Sequence, residues 1–469
     1  MNLSRQLVAI AAGLSFSAGF ALADQKAVNP RVREIVDAVS EARIQAIIEK
    51  LESFGTRHTM SNPDDPVRGI GAARQWIFNE FKSYSPRLQV RFDQYRVKRQ
   101  GQRIFKDVDL YNVIAVLPGT RMPETQILIS GHYDSLNLGN RPAGGALAGS
   151  AGQPAQTQAD YEKNAELPAP GACDDGSGTA AVMELARVMS RYEFPKTLVF
   201  VAFAGEEQGL IGSSLLAAKA RKEAQVIEAV LNNDIIGTEV AGNGRTGNSE
   251  VSVYSDETQD SPSQQLARFA REIGERYLPS MNVSTIFMED RLGRGGDQTP
   301  FQWEGYAAVR FSTPNEIYAN QHHAADTLAN MSVPYTTRVA RINAAVAASL
   351  ALAPKPPIVT REPRSGAPAA NRRPGPMISR GSGYDAVLQW RTAGPDADIQ
   401  GYAIVIRLTT APYWKREIYV GKVNQYTLKD VSIDDARFGV KAIGADGAES
   451  LVTPYVYPPR QKTEIQVVP

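Results

Sequence analysis

The chain has 469 residues, of which 43% are hydrophobic and 22% are charged, a composition typical of folded protein with room for two or three domains. Basic residues number 51 and acidic residues 50. This near balance gives no electrostatic basis for binding nucleic acid or an anionic membrane surface, so we predict neither as a partner.

The first 23 residues have the pattern of a secretory leader. Arg5 supplies a positive start, an apolar stretch follows over residues 7–20, and the Ala-Leu-Ala sequence at 21–23 is a small-residue cleavage site. We therefore predict a signal peptide over 1–23 and an exported protein that is periplasmic or secreted. No later segment approaches 18 consecutive apolar residues, so no membrane span is expected.

The next region predicts helices followed by an α/β domain. Apolar residues at helical spacing predict helices over 30–57 and 67–84. From about 88 to 352 short apolar runs alternate with helical patterns, and the runs at 127–129 and 198–203 are typical of strands buried on both faces. We predict an α/β domain over 24–353, with a mixed, largely parallel sheet flanked by helices.

The C-terminal part predicts a second, smaller domain. Prolines are dense over 354–376, which predicts a linker. Beyond it, apolar runs at 386–390, 402–406 and 437–442 have the spacing of sandwich strands. We predict a β-sandwich over 377–469, and it resembles a fibronectin type III module.

Five short motifs carry polar side chains of the kinds that bind metal ions. They are Gly131-His132-Tyr133-Asp134-Ser135, Cys173-Asp174-Asp175-Gly176-Ser177-Gly178, Ala204-Gly205-Glu206-Glu207-Gln208-Gly209, Asn233-Asp234 and His322-His323-Ala324-Ala325-Asp326. Two imidazoles and three carboxylates form a nitrogen-and-oxygen ligand set that suits zinc. A paired-metal site also needs one carboxylate that bridges both ions and a free one that moves protons.

The positions of these motifs agree with a site at one edge of the sheet. His132, Glu206 and Asp234 each follow a predicted strand, and the carboxyl ends of parallel strands line the cleft of an open α/β sheet. We expect Asp134 to accept the second ring N–H of His132 and so fix its tautomer. Adjacent Glu206 and Glu207 would point different ways, so that one binds metal and the other faces water.

The remaining motif residues have simpler expected roles. Asp174 and Asp175 precede a predicted helix, whose dipole favours their ionised forms. Asp326 lies four residues after His322, and we expect it to orient that histidine. Cys173 stands alone in the chain and is expected to be a small buried neighbour of the site rather than a ligand.

The segment 137–171, rich in glycine and alanine, separates the first two motifs. A stretch of this length without periodicity is usually either functional or disordered. Its position makes it a candidate rim or lid for the cleft, and plain disorder is the alternative.

The five motifs, in this order and spacing, resemble those of the di-zinc exopeptidases that include the secreted bacterial leucine aminopeptidases (metallopeptidase family twenty-eight). The resemblance covers about residues 30–352 and implies that the domain at 24–353 is a zinc peptidase. It implies two Zn²⁺ bridged by one carboxylate. The implied ligands are His132, Asp174 (the bridge) and Asp234 for one ion, and Asp174, Glu207 and His322 for the other.

The resemblance also implies the catalytic residues, Glu206 and Asp134. Glu206 would be the general base that takes a proton from a water bridging the metals, while Asp134 holds His132. Peptide or protein N-termini would be the substrate, cleaved after the first residue. Two positions depart from the family pattern: Gly296-Asp297-Gln298 stands where relatives have Ser-Asp-His, and His323 stands where the last motif usually has Thr or Ser.

Three alternatives to an aminopeptidase remain open at this point. A carboxypeptidase or dipeptidase would need basic residues for the substrate carboxylate, and Arg291 and Arg294 are candidates. A glutaminyl-cyclase-like acyl transferase would work with one zinc. A receptor-like protein would bind ligands without catalysis. His58, remote from every motif in sequence, is expected on the surface or in a loop.

Overall fold

The computed structural model describes residues 28–139, 156–361 and 375–457. The predicted leader at 1–23 lies outside these residues, as does the middle of the predicted lid segment. Within the described ranges, every helix is too short or too polar to cross a lipid bilayer.

The N-terminal domain is built on one eight-stranded sheet. Its strands are β1 (Gln89–Val97), β2 (Val108–Leu117), β3 (Met122–His132), β4 (Lys196–Phe203), β5 (Val226–Asn233), β6 (Glu250–Tyr254), β7 (Asn282–Ile286) and β8 (Ala308–Ser312). They lie in the order β1-β2-β4-β3-β5-β8-β6-β7. The four central strands, β4, β3, β5 and β8, are parallel, and antiparallel pairings join β2 and β6 to them. The predicted mixed, largely parallel sheet is confirmed.

Nine helices are described in this domain. They are α1 (Pro30–Asp37), α2 (Glu41–Ser53), α3 (Gly69–Tyr84), α4 (Gln158–Asn164), α5 (Gly176–Met189), α6 (Ile211–Lys222), α7 (Pro262–Tyr277), α8 (Gln298–Trp303) and α9 (Val333–Leu352). The single helix predicted over 30–57 is wrong, because α1 and α2 are separate. The side chain of Ser40 accepts the main-chain N–H of Arg43 and caps α2, so a new helix begins there.

Both faces of the central strands are covered by helices, which explains their continuous apolar sequences. Every residue of β4 is buried. Phe200 and Ala202 pack with α2, α5 and α9 in the larger core, whereas Val201 and Phe203 pack with α6 and α8 on the other face. A sheet buried in this way exposes only its edges and strand ends to ligands.

The C-terminal region forms two antiparallel sheets around a second core. The strands are β9 (Thr360–Arg361), β10 (Gly375–Pro376), β11 (Ile378–Arg380), β12 (Ala386–Gln389), β13 (Ile399–Leu408), β14 (Arg416–Gly421), β15 (Gln425–Leu428), β16 (Ala436–Gly444) and β17 (Thr453–Pro454). The sheets β11-β12-β15 and β14-β13-β16-β17 share a core that includes Trp390, Leu388, Ile404 and Val440. This arrangement has the form of the predicted sandwich.

Part of the predicted linker at 354–376 packs with the β domain. Ile358 pairs with Arg391 in a β-bridge, and Val359 is buried in the second core. These two apolar residues give the proline-rich segment something to bury, which a linker composition alone does not suggest. The residues of this segment from 362 to 374 lie outside the described part of the chain.

The two domains meet through a buried polar junction. One terminal nitrogen of Arg407 donates to both oxygens of a single carboxylate: Arg407 Nη2 lies 2.7 Å from Asp260 Oδ1 and 2.7 Å from Asp260 Oδ2. Arg268 Nη1 lies 3.2 Å from the same carboxylate. Trp414 of the β domain donates to Gln265 Oε1 of α7 at 3.1 Å. The β domain is thus packed firmly against α7.

Candidate metal centre

The five motifs converge at the carboxyl edge of the parallel strands. His132 is the last residue of β3, Glu206 and Glu207 lie in the turn after β4, and Asp234 directly follows β5. Asp174 lies two residues before α5. His322 lies in the loop that follows β8, the next parallel strand of the sheet.

Asp174 lies between the two histidines and faces one with each oxygen. Its Oδ1 is 3.3 Å from His132 Nε2, and its Oδ2 is 3.1 Å from His322 Nε2. Two groups of ligand atoms result, each within 4.8 Å: His132, Asp174 and Asp234 form the first triad, and Asp174, Glu207 and His322 form the second. The structure therefore brings together all five side chains that the sequence predicted as ligands.

His132 presents Nε2 to this cluster because its other ring nitrogen is engaged. Nδ1 lies 3.1 Å from the main-chain oxygen of Asp134 and 3.5 Å from Asp134 Oδ1. An Nδ1–H donor held in this way leaves Nε2 with its lone pair free for a metal. Asp134 thus has the orienting position that its spacing predicted, with the main-chain oxygen as the nearer acceptor.

Asp134 also fixes the turn that carries the two glutamates. Its Oδ1 accepts the main-chain N–H of Glu206, and its Oδ2 accepts the main-chain N–H of Glu207, both at 3.3 Å. Thr59 Oγ1 donates to Oδ2 at 3.2 Å. One buried residue, Asp134, therefore couples the orientation of His132, through its main-chain oxygen, to the position of Glu206 and Glu207, through its carboxylate.

Glu206 and Glu207 point to different places, as the sequence predicted. The Glu207 carboxylate lies 3.3 Å from His322 Nε2 and belongs to the second triad. The Glu206 carboxylate lies 4.0 Å from His132 Nε2, belongs to neither triad and is 13% exposed. Glu206 is therefore a partly exposed carboxylate beside the two triads.

Asp175 joins three elements of the fold next to the two triads. Its Oδ2 accepts the main-chain N–H of His132 at 3.0 Å, while its Oδ1 accepts those of Gly178 at 2.8 Å and Ile235 at 3.3 Å. Gly178 is required for this packing, since a Cβ there would lie 2.2 Å from the main-chain oxygen of Asn233. Asp175 is thus the cap of α5 and the junction of β3, α5 and β5.

The charge of the site fits bound cations. Burial alone would lower the pKa of His132, yet Glu206 and the surrounding aspartates raise it well above its usual value. His322 behaves in the same way beside Glu207 and Asp174. His132 Nε2 and Glu207 Oε1 are buried without a hydrogen-bond partner among the described residues. Nitrogen and oxygen atoms that lack a hydrogen-bond partner and face one another in a carboxylate-rich cluster are the kind of atoms that coordinate zinc.

Asp326 does not orient His322, contrary to the sequence prediction. Its Oδ1 and Oδ2 accept the main-chain N–H groups of Cys173 and Asp174, both at 2.9 Å. His322 has a left-handed backbone conformation with φ 56°, so the chain turns there and a spacing of four residues does not place the two side chains together. Asp326 instead holds the main chain of Asp174, the residue common to both triads.

Two buried arginines at the site were missed by sequence reasoning. Arg310 of β8 lies with Nη2 2.9 Å from Asp234 Oδ1 and donates from Nη1 to Asp290 Oδ2 at 2.6 Å. Arg57, in the loop after α2, donates from Nε to the main-chain oxygen of Tyr133 at 2.6 Å. A lone arginine within the apolar sequence of β8 was a signal for the first, whereas no local pattern marks Arg57.

Gln298, which departs from the family pattern, and Asp297, which matches it, are two further polar groups in the interior. Gln298 donates to the main-chain oxygen of Glu289 at 3.1 Å and accepts from Asn232 at 3.4 Å, so it joins β5 to the loop before α8. Asp297 is fully buried, and its carboxylate oxygens have no hydrogen-bond partner among the described residues. Burial raises the pKa of Asp297 to about 7, although His132 opposes the shift.

The other candidate residues lie outside the two triads. His58 is in a loop but is buried rather than on the surface. Its Nδ1 accepts the main-chain N–H of Met60 at 3.0 Å, and burial lowers its pKa to about 4. His323 belongs to neither triad. Cys173 is buried with its thiol outside both triads, as expected, and burial raises the pKa of that thiol well above its usual value.

The predicted lid segment is described only at its two ends. The main-chain N–H of Leu138 donates to the main-chain oxygen of His322 at 2.9 Å, so the first residues of the segment contact the last motif. Near the other end, α4 follows residue 156. The residues between 140 and 155 lie outside the described part of the chain.

Solved structures with this fold include two proteins of Legionella pneumophila. The LapA aminopeptidase superposes with a TM-score of 0.51 and 18% identity, covering 70% of this chain and 76% of that chain. LapB superposes with a TM-score of 0.50 and 20% identity, covering 69% and 75%. The predicted fold class is confirmed by these likenesses. These likenesses show the fold, and the carboxyl edge of its sheet carries the two triads of side chains that could hold metal ions.

Sequence comparison identifies the family. Residues 112–347 match the model of Peptidase family M28. A probable zinc metalloprotease of Pyricularia oryzae is 36% identical over 451 residues, which cover 88% of this chain and 82% of that protein. A probable zinc metalloprotease of Leptosphaeria maculans is 33% identical over 458 residues, covering 91% and 96%. The chain belongs to peptidase family M28, and the predictions of the family and of a peptidase are confirmed.

Proposed function

We propose that the protein is a two-zinc aminopeptidase that removes the N-terminal residue of peptides. The observation that carries this proposal is the position of Asp174, whose two oxygens face His132 and His322 separately. A carboxylate shared in this way suits two cations side by side rather than one. Zinc is the metal in the names of the M28 relatives from Pyricularia oryzae and Leptosphaeria maculans.

Each ion would have its own histidine and its own carboxylate. His132 and Asp234 would hold the first ion, Glu207 and His322 the second, and Asp174 both. When bound, the ions would polarise the scissile carbonyl and lower the pKa of the attacking water. The imidazole nitrogens and carboxylate oxygens of the two triads are suited to holding ions with these two roles.

Glu206 would move the proton in this reaction. Its carboxylate lies beside the ligands without belonging to either triad, and burial raises its pKa well above the usual value in the metal-free site. Glu206 would accept a proton from the attacking water and then pass it to the nitrogen of the leaving amine. Asp134 bonds both to the main chain of Glu206 and to His132. It would therefore hold the proposed base and one proposed ligand at a fixed distance from each other.

The state of two arginines favours an aminopeptidase over a carboxypeptidase. Arg291 and Arg294 were candidates for gripping a substrate carboxylate. Both form ion pairs with the buried Glu316, and Arg291 also pairs with Asp290. Guanidinium groups that are already compensated by buried acids attract a further carboxylate weakly. LapA, which shares the fold, is described as an aminopeptidase.

We also propose the division of the chain into domains and its export from the cytoplasm. A leader at 1–23 would direct export, the domain at 24–353 would carry catalysis, and the β-sandwich resembling a fibronectin type III module would remain attached after export. Its contacts with the catalytic domain support this last part: Arg407 pairs with Asp260, just before α7, and Trp414 donates to Gln265 of α7.

The experiment is a cleavage assay on purified protein whose metal content has been measured. Substrates would be aminoacyl 4-nitroanilides and one short peptide in free, N-acetylated and C-amidated forms. We expect two zinc ions per chain, and loss of activity with a chelator that zinc restores. N-acetylation should abolish cleavage and C-amidation should leave it unchanged.

Other outcomes would point to the alternatives. Loss of cleavage on C-amidation would indicate a carboxypeptidase. A single zinc per chain with cyclisation of N-terminal glutamine would indicate a glutaminyl-cyclase-like enzyme. Zinc binding without turnover of any peptide would indicate a receptor-like protein.

A further inference from the structure

Arg57 joins two of the metal-binding segments although it belongs to none of the motifs. Its side chain is fully buried in the loop after α2, outside the region that matches the family model. Nε donates to the main-chain oxygen of Tyr133 at 2.6 Å, and Nη2 donates to that of Gly171 at 2.8 Å. Nη1 donates to the main-chain oxygens of Leu51 at 3.1 Å and Pro170 at 2.5 Å.

The acceptors of Arg57 lie next to two proposed ligands. Tyr133 directly follows His132, and Gly171 lies shortly before Asp174 in the segment that leads to α5. A guanidinium is planar and presents its donors in a fixed fork, so it sets the distance between the groups that it bonds. The fork of Arg57 therefore fixes the segment of His132 relative to the segment of Asp174.

Arg57 also places a positive charge behind the ligands. Four acids interact with it electrostatically: Asp326, Asp134, Asp175 and Asp174. Burial lowers the pKa of Arg57 to about 10, so the group stays charged at neutral pH. Ionised carboxylates that share a buried site repel one another, and a buried cation among them offsets part of that repulsion before any metal arrives.

We propose that Arg57 is a positioning residue of the metal centre, which holds His132 and Asp174 at the spacing of the first triad and compensates the acids around them. This inference rests on the proposed two-zinc function. It assigns part of the site to the N-terminal helical layer, beyond the five motifs.

The test uses Arg57→Lys, which keeps the charge and loses the fork. We expect the affinity of the metal-free protein for zinc, measured by calorimetry, to fall at least tenfold. We expect kcat at saturating zinc to fall at least tenfold, with KM within about threefold. The matched control is Arg407→Lys, which alters a buried arginine with main-chain bonds in the domain junction. It should lower Tm and leave zinc affinity and kcat unchanged.

Wild-type zinc affinity and kcat in Arg57→Lys, with only the lower Tm of the control, would overturn the proposal. Absence of zinc binding in the wild-type protein would instead refute the proposed function. If Arg57→Lys does not fold, Ser135→Ala tests the same junction, because Ser135 Oγ accepts from the main chain of Arg57 at 3.0 Å and donates to Ala169 at 2.8 Å. Several-fold weaker zinc binding in Ser135→Ala supports the proposal, and unchanged binding contradicts it.

Discussion

Arg310 lies 2.9 Å from Asp234, with its Nη2 directed at the oxygen of that carboxylate that is also 3.9 Å from His132 Nε2. Its Nη1 donates to Asp290, and all three charged groups are almost fully buried. A carboxylate proposed as a zinc ligand is therefore held by a cation from the neighbouring strand β8. The two cations, guanidinium and metal, would share the charge of Asp234.

Replacing this arginine should destabilise the metal-free protein more than the zinc-loaded one. Arg310→Met leaves Asp234 and Asp290 buried without their counter-ion, which costs about 3–5 kcal/mol. Bound zinc recovers part of this cost, because it neutralises Asp234. Urea unfolding with and without zinc measures both values. Lys429→Met, at an exposed lysine paired with Asp385, is the control and should leave stability nearly unchanged in both forms. Equal destabilisation in both forms would contradict the coupling.

Glu206→Gln should abolish most turnover while the metals remain bound. The amide keeps the size of the side chain but cannot accept the proton of the attacking water, so kcat should fall by about 10²–10⁴-fold. Zinc content should not change, because Glu206 belongs to neither triad. Glu223→Gln, at the exposed end of α6, is the matched control and should retain full activity. A Glu206→Gln enzyme within a factor of two of the wild type would exclude the role of general base.

Asp297 should make the metal-free protein less stable as the pH rises. Burial raises its pKa to about 7 in the folded chain, from an ordinary value of 3.8. The folded state therefore holds a proton that the unfolded state has lost, and stability falls between these two pH values and stays low above them. In Asp297→Asn this loss is absent. Its stability relative to wild type should rise by about 2–4 kcal/mol between pH 4 and pH 8.

The measurement is urea unfolding of both proteins in the presence of a chelator at pH 4, 6 and 8. A difference between them that does not vary with pH would show that Asp297 does not titrate in this range.

Breaking the junction between the domains should cost much more than breaking a surface pair. Arg407→Ala leaves Asp260 buried with a longer ion pair to Arg268, at 3.2 Å, and a hydrogen bond from Gln265, at 3.4 Å, and should lower the free energy of unfolding by about 3 kcal/mol. Arg380→Ala removes a comparable arginine–aspartate pair with Asp434 that is more than half exposed, and should cost less than about 1 kcal/mol. Similar losses in the two variants would show that the junction contributes little.

The convergence of the proposed ligands was predictable from the sequence because each of them lies next to a recognisable local feature. His132 and Asp234 follow strands of buried apolar residues, and Asp174 precedes a Gly-Ser-Gly helix start. Parallel strands bring their carboxyl ends to one edge, so the local patterns were enough to predict that these side chains would meet. The spacing of Asp134 from His132 likewise predicted a contact that the structure contains.

The supporting residues were not predictable in the same way. Arg57 bonds to main-chain oxygens, which every residue has, so nothing in the sequence marks its partners. Asp326 was assigned to the wrong partner because spacing in a loop does not determine direction once His322 turns the chain. The pairing of Arg310 with Asp234 depends on strand order, with β8 beside β5, which apolar patterns do not reveal.

The buried contact between Asp260 and Arg407 bears on how this protein can be divided. If the chain were divided in the proline-rich segment and the two domains separated, Asp260 and Arg407 would each lose the partner of opposite charge. The surfaces around Gln265 and Trp414, which are now in contact, would be exposed to solvent. We therefore expect neither domain to fold stably without the other. The unit that folds, and that an expression experiment should keep intact, is the pair of domains, which is longer than the segment 112–347 that matches the family model.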